Sequence, residues 1–322
     1  MTDKNYKLGT KEASEQLIKE LYVDLRRQVN KWASLTHQTA QARMGYVGQH
    51  LVSVVTGYPG GKSGARGKDL ILPNGEFGEI KTCYRVDQLG RCLDCKTSVA
   101  SIENTCPVCG SDNIRRNDDS KWLISIRHDE EFAHILDPRF YFFVLFEFVN
   151  LSQPDTIQMT IHRVESTVPG FAYCMIDYYL NIRANSQSQA PFNLWPHSLK
   201  FDLMAPELIY RAYVTKDDTI TTQVWPDTAI LEPLRPLTEY SRSLNLTLEN
   251  IFQFSEYIGA EVEVVMNKRM MLEKLQKYIE INQLDPRLVI NQLAKALYFP
   301  RIREYIPNLP AHLVGKLPVL NE

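Results

Sequence analysis

No apolar run in this 322-residue chain approaches the roughly 18 residues that a membrane-crossing helix needs, so no membrane span is expected. The first thirty residues are charged and helical in pattern, which leaves no room for an apolar secretory leader. A reducing intracellular setting is then the default, and the six cysteines read as thiols or metal ligands before disulfides. Net charge is nearly absent too: 36 Lys and Arg stand against 38 Asp and Glu, so the totals imply no partner of one sign. What is missing locally says more. From Leu25 to Lys68 there is no Asp or Glu, while Arg26, Arg27, Lys31, Arg43, Lys62, Arg66 and Lys68 all fall inside. A cationic surface of this kind is the footprint of a nucleic-acid contact; a solvated helix face followed by an acid-free loop is the plain alternative.

Within that stretch, "TGYPGGKSGARGKDL" offers Gly61-Lys62-Ser63, the tail of a phosphate-binding loop. The pattern fails at both ends. Thr56 stands where the first glycine belongs, and Gly64, Gly67, Pro73, Gly75 and Gly78 exclude the helix whose N terminus would hold the phosphate. What the stretch does deliver is Asp69.

Length suggests two or three packed modules. Residues 1–42 form an N-terminal helical segment, with Leu17, Ile18, Leu21, Leu25, Val29 and Trp32 on one face. Residues 43–150 read as an α/β core. It holds a helix from about Met44 to Val55, with Val47, Leu51, Val54 and Val55 inward, and strands at Lys68 to Leu72 and Glu76 to Tyr84. "WLISIRH" and "RFYFFVLFEFV" are buried strands around a short helix near Glu130 to Leu136. A polar insert, 90–119, interrupts this core. Residues 151–240 are β-rich, and 241–322 are helical, first from Leu248 to about Asn282 and then from Asp285-Pro286, where Asp caps and Pro fits the first turn.

The insert carries "CLDC" and "CPVC", two Cys-x2-Cys pairs with ten residues between them. Cys92, Cys95, Cys106 and Cys109 can surround one Zn2+ tetrahedrally at about 2.3 Å each, as in a compact zinc ribbon. Disulfides are disfavoured in a reducing setting, and two redox dithiols so close argue for metal. With four protein ligands no position stays open for water, so the zinc would fold the insert and do no chemistry. Arg91, Lys96, Arg115, Arg116 and Lys121 are balanced by Asp94, Glu103, Asp112, Asp118 and Asp119. The insert is therefore no general phosphate clamp; it either reads base edges or braces its neighbours. Cys83 and Cys174 read as small core residues.

"KDLILPNGEFGEIKT" reads as a hairpin. A three-residue Pro-Asn-Gly loop sets Leu72 opposite Glu76, Ile71 opposite Phe77, Leu70 opposite Gly78 and Asp69 opposite Glu79. Opposed residues have Cβ atoms about 4.5–5.5 Å apart, so two carboxylates there call for a cation, and Mg2+ suits carboxylate oxygens. Lys81, two residues past Glu79, shares its face. The rival readings are a solvated surface hairpin, and a loop one residue different, which would send the two acids to opposite faces. A second carboxylate-x-Lys triplet, Asp119-Ser120-Lys121, ends the insert without a hairpin partner.

Asp69 and Glu79-Ile80-Lys81, in their helix, loop and hairpin order, resemble the PD-(D/E)xK nuclease superfamily, the metal-dependent core of most type II restriction endonucleases. The run "MGYVGQHLVSVVTGYPGGKSGARGKDL" followed by "GEIKTC" resembles in particular the MamI group, which cuts an interrupted palindrome. The resemblance covers Tyr46 to Phe148. It implies a restriction-endonuclease-like core, a mixed sheet flanked by helices, into which the four-cysteine zinc ribbon is inserted and to which the helical C-terminal region is added. By it, Asp69 and Glu79 would hold Mg2+, Lys81 would position or activate the attacking water, and hydrolysis of double-stranded DNA would leave 5'-phosphate ends. Lys62, Arg66 and Lys68 would hold the DNA backbone. Two departures stand: Lys68 replaces the superfamily's Pro before the first Asp, and Gln49 sits where many members carry a helix Glu. Gln49 could position a group or a second metal without neutralising it.

The resemblance further implies a cytoplasmic bacterial or archaeal enzyme acting as a homodimer on palindromic half-sites. The 151–240 extension is a candidate for DNA recognition; in the tail, Lys268, Arg269, Lys274 and Lys277 suit a dimer contact, a DNA-reading helix or ordinary packing alike. Two other readings remain: a non-catalytic zinc-ribbon DNA-binding regulator, and a nuclease for RNA or modified DNA. His50, His128 and His134 carry no expected role.

Overall fold

Thr10, in extended conformation, accepts the Ala13 N–H on its hydroxyl at 3.3 Å and so starts helix α1, Lys11–Ile18. The computed structural model describes residues 6–36, 45–61, 68–186, 190–263 and 266–318. After α1 the chain widens into a π-helical run, Lys19–Asp24, and resumes as α2, Leu25–Thr36. A π turn holds more residues than an α turn, so a stripe drawn at 3.6 residues per turn loses register beyond it. The expected apolar face is accordingly corrected. Ile18, Tyr22, Val23 and Ala33 are buried, whereas Leu21, Leu25 and Trp32 are exposed.

Helix α3, Gly45–Thr56, buries Val47, Leu51, Val52 and Val55, while Val54, expected inward, is only half-buried. It lies on the strand that follows the hairpin turn, and Gly48 permits this: a Cβ there would meet the Thr82 hydroxyl at 2.2 Å. Strands β1, Leu70–Ile71, and β2, Phe77–Tyr84, pair antiparallel with Ile71 opposite Phe77 and Leu70 opposite Gly78. The Leu72 N–H donates to the Glu76 carbonyl at 2.9 Å, so the loop is Pro73-Asn74-Gly75, the register read from the sequence. Asn74 and Gly75 take φ values of 62° and 78°, which Asn and Gly tolerate best.

The insert forms its own three-stranded sheet, ordered β4-β3-β5, from β3, Leu89–Cys92, β4, Ser98–Ala100, and β5, Ile114–Arg115. Then come β6, Trp122–Ile124, α4, Asp129–Ala133, β7, Phe140–Phe148, and β8, Thr156–Glu165. Next are α5, Pro169–Asp177, which runs on as a π segment to Arg183, β9, Phe192–Leu194, and α6, Leu199–Asp202. Strands β10, Glu207–Thr215, β11, Ile220–Val224, and β12, Ile230–Leu231, precede helices α7, Leu248–Ile258, α8, Lys268–Ile281, and α9, Pro286–Ile302.

The chain groups into two compact units. One comprises residues 1–122, 141–163 and 208–230; the other 123–140, 164–207 and 231–322. The first is built on a mixed sheet ordered β1-β2-β7-β8-β10-β11, with β12 also pairing β10. Helix α3 packs on β2, and α1 touches both α3 and β11. β7 is apolar at nearly every position because it is buried on both faces from Tyr141 to Phe148.

The second unit packs α9 against α5 and α7. Helix α5 lies where the sequence pattern suggests strand and loop. Its residues Gly170 to Asp177 are all buried, and a helix apolar on every side shows no amphipathic period. The single helix expected from Leu248 to Asn282 is two, since Gly259 ends α7 at φ 72° and Asn267 caps α8. Asp285 and Pro286 start α9 as expected, with Asp285 accepting the Leu288 N–H at 2.8 Å. Among the described residues no helix is long and apolar enough to cross a membrane.

Candidate active site and cysteine cluster

Asp69 sits where the β1–β2 ladder ends, and two donors fix its carboxylate. The Ile80 N–H donates to Oδ2 at 2.9 Å, and the Gln49 side-chain amide of α3 donates to Oδ1 at 3.3 Å. On β2, Glu79 and Lys81 share a face, with Lys81 Nζ 2.6 Å from Glu79 Oε1 and both side chains about one-fifth exposed, 20% and 22%. Burial pushes the Glu79 carboxyl above the usual carboxylate range; the Lys81 ammonium opposes this, and the negative charge of Asp69 adds to it. Two acids, an ammonium and a neutral amide thus meet at one end of β2. Two such carboxylates form an all-oxygen donor set suited to a hard divalent ion, and with Lys81 paired to Glu79 the two acids still carry one negative charge more than the ammonium balances.

The other sequence-derived candidates fall elsewhere. Lys68 is exposed beside Asp69, with its ammonium 5.5 Å over the Phe77 ring. Lys62 and Arg66 lie outside the described residues. On the described residues to either side, the Ile71 N–H donates to the Pro59 carbonyl at 3.0 Å and Gly60 forms an isolated antiparallel bridge with Leu70. Asp119 of the second triplet is exposed in the loop before β6. His128 caps α4 through Nδ1, which accepts from the Glu131 N–H at 3.4 Å, and His50 is exposed.

The two Cys-x2-Cys pairs fold alike. Lys96 donates its N–H to the Cys92 carbonyl at 3.1 Å, and Gly110 donates to Cys106 at 2.9 Å. Both residues take left-handed φ, 66° and 73°. The turns bring the four sulfurs within 4.8 Å of one another. Cys92 and Cys109 are 3.7 Å apart, Cys95 and Cys106 3.5 Å. Four sulfurs at about 2.3 Å from a central Zn2+ would stand about 3.8 Å apart, whereas a disulfide needs about 2.05 Å. The thiol cluster therefore fits a tetrahedral thiophilic ion. Asp94 ties the pairs together by accepting from the Ser111 hydroxyl and from the Asn113 amide.

Arg85, the residue just past the end of β2, has no counterpart among the residues singled out from the sequence. It is gripped by Asp118 and Glu147. These partners lie 33 and 62 residues away, and no local motif announces them.

The chain belongs to a restriction endonuclease family: the model of the MamI restriction endonuclease family matches residues 31–236, more than half of the 322 residues. That span takes in the hairpin and the cysteine cluster. A particular relative is the type II restriction enzyme MamI of Microbacterium ammoniaphilum, 37% identical over 79 residues, which are 23% of this chain and 24% of the relative. The aligned part thus spans about a quarter of that protein. No solved structure matches the chain.

Proposed function

We propose that the protein is a type II restriction endonuclease that hydrolyses phosphodiester bonds of double-stranded DNA with Mg2+ and leaves 5'-phosphate ends. The observation that carries this reading is the hairpin register, with Asp69 fixed beside Glu79 and Lys81 paired to Glu79. Asp69 and Glu79 would hold the ion, which when bound supplies Lewis-acid polarisation of the phosphoryl group and activation of water. The Ile80 N–H and Gln49 keep the Asp69 carboxylate aimed. Gln49 brings no charge toward a second ion. Once Glu79 is engaged, the Lys81 ammonium is free to donate to a phosphate oxygen and to hold the attacking water in line with the departing 3' oxygen.

Lys68, with Lys62 and Arg66, holds the DNA backbone, a contact that positions the duplex without reading sequence. The PD-(D/E)xK core supplies the scaffold, a structural Zn2+ folds the cysteine insert, residues 151–240 read the site, and the C-terminal helices contribute a dimer or DNA contact. The protein acts as a homodimer in the cytoplasm.

Incubation of mixed plasmid DNA with Mg2+ and wild-type or Asp69→Ala protein tests this. Discrete fragments from the wild type that vanish with the variant are expected, and end sequencing should find 5' phosphates. DNA that is retarded but intact with both proteins would sink the proposal in favour of a zinc-ribbon regulator.

A further inference from the structure

A turn over residues 85–88 joins strand β2 to the cysteine insert, and the segment after the insert returns to the end of β2, at Cys83 and Arg85. Period two puts Glu79, Lys81 and Cys83 on one face of β2, and Arg85, the first residue past the strand, is tied to β7 by its N–H, which donates to the Phe146 carbonyl at 2.9 Å. Arg85 holds the returning segment twice: Nη2 donates to the Asp118 carboxylate at 2.5 Å and Nε to the Asp118 carbonyl at 2.8 Å. Its third grip is on the central strands. Nη1 meets Glu147 of β7 at 3.2 Å, and Gln158 of β8 donates to the same carboxylate at 2.8 Å. The Glu147 side chain is only 9% exposed. Ser120, also in the returning segment, hydrogen-bonds Cys83.

The returning segment is fastened to the insert in turn. Arg116 donates to the carbonyls of Ser101 and Glu103 at 3.1 and 3.2 Å, and the Asn117 N–H donates to the Ser101 hydroxyl at 2.7 Å. The insert's own core is the cluster Cys92, Val99, Cys106 and Ile114. A core this small holds no fold by hydrophobic burial alone, and a bound metal is what makes such a module fold. A continuous chain of contacts thus runs from the cysteine cluster through Asp118 to Arg85. A half-buried guanidinium that loses one of two carboxylate partners must shift, and the backbone it sits on carries Lys81 four residues away.

We infer that Arg85 is a positioning residue: through Asp118 it transmits the metal-dependent fold of the cysteine insert to the strand that carries Glu79 and Lys81. This rests on the nuclease reading of that face. The inserted module is then a brace for the chemistry, whatever else it touches.

The test uses full-length protein, zinc-loaded and stripped by a chelator, as wild type, Asp118→Asn, Asp118→Glu and Asp69→Ala. The Asp118 side chain is 38% exposed, so its variants keep the fold, which circular dichroism checks. Two quantities are read: amide exchange in residues 77–85, and single-turnover cleavage of plasmid DNA with Mg2+. Stripping zinc should speed exchange across 77–85 in the wild type, and Asp118→Asn should already exchange faster when loaded. Asp118→Asn should cut between about tenfold and a hundredfold more slowly at unchanged KM for DNA, the scale of a misplacement up to about 1 Å. Zinc removal should slow it little further, and Asp118→Glu should recover most of the loss. Three results would overturn the inference: equal exchange in loaded and stripped wild type, wild-type cutting by Asp118→Asn, or an equal further slowing of Asp118→Asn on zinc removal. Wild-type cutting by Asp69→Ala would instead remove the site reading, while the exchange data still decide whether the brace exists.

Discussion

The Ile80 N–H lies 2.9 Å from Asp69 Oδ2, so the carboxylate that closes the open end of the hairpin also aims itself at the next strand. Removing it has two separable consequences. Asp69→Ala leaves the Ile80 N–H without its acceptor and should lower stability by about 1–2 kcal/mol. Asp69→Asn keeps an oxygen there and should melt within a few degrees of the wild type. Both should lose cleavage by roughly 10²–10³-fold or more, the scale on which one electrostatic contributor acts. Melting curves and cleavage rates on one preparation check this, and an active Asp69→Asn would contradict it.

Glu79 should display the opposite pairing of stability and activity. Its folded-state proton affinity exceeds that of an ordinary glutamate, chiefly through burial with the charge of Asp69 added. The folded state therefore binds the proton more tightly than the unfolded chain, and the group costs stability as pH rises through that window. Glu79→Gln should raise the melting temperature at neutral pH, with the gain disappearing near pH 4, while abolishing cutting. Mn2+ binding followed by calorimetry should weaken as pH falls in the wild type and be lost in the variant.

Asp87 offers a second pH test. It is buried, and burial pushes its carboxyl up to about 7; Glu103 adds to the shift and Arg26 opposes it. The unfolded carboxyl titrates near 4, so stability should fall as pH rises from about 4 to 7 and then level off, by an amount on the order of a few kcal/mol. Asp87→Asn should flatten that stretch of the curve. Urea unfolding at pH 5 and pH 7.5 measures it, and equal slopes in wild type and variant would contradict the assignment.

The cysteine cluster predicts one Zn2+ per chain by atomic emission. Cys95→Ser or Cys109→Ser, which change the exposed pair, should release it. With the metal gone, trypsin should cut at Arg91, Lys96, Arg115 and Arg116 while the rest of the chain resists, since zinc binding of about 10–16 kcal/mol is what holds such a module folded.

Legibility in the sequence follows locality. The hairpin is readable because turn chemistry, Pro73-Asn74-Gly75, sets register without help from the rest of the molecule. The cysteine pairs are readable because ligand spacing is itself the signal. The N-terminal stripe fails where the helix changes pitch at Lys19–Asp24, a feature with no residue signature. Helix α5 leaves no periodic trace because it is buried all round, and the role of Arg85 is hidden because its partners come from distant segments.

Gly48 is where the α3–β2 packing meets the site. An added Cβ would lie 2.2 Å from Thr82 Oγ1 and 2.7 Å from its Cγ2, so Gly48→Ala must push the helix from the strand. Crowding of this kind costs about 1–3 kcal/mol. The next residue, Gln49, reaches Asp69 across that same gap, and a displaced helix would break the 3.3 Å contact. Thr82→Ala removes both of the closest atoms but leaves a Cβ at 3.0 Å. The double variant Gly48→Ala/Thr82→Ala should therefore regain most of the stability lost by Gly48→Ala alone. Its cleavage rate should recover in parallel if Gln49 acts by aiming Asp69. Stability that returns without activity would show that helix position alone does not account for the part played by Gln49.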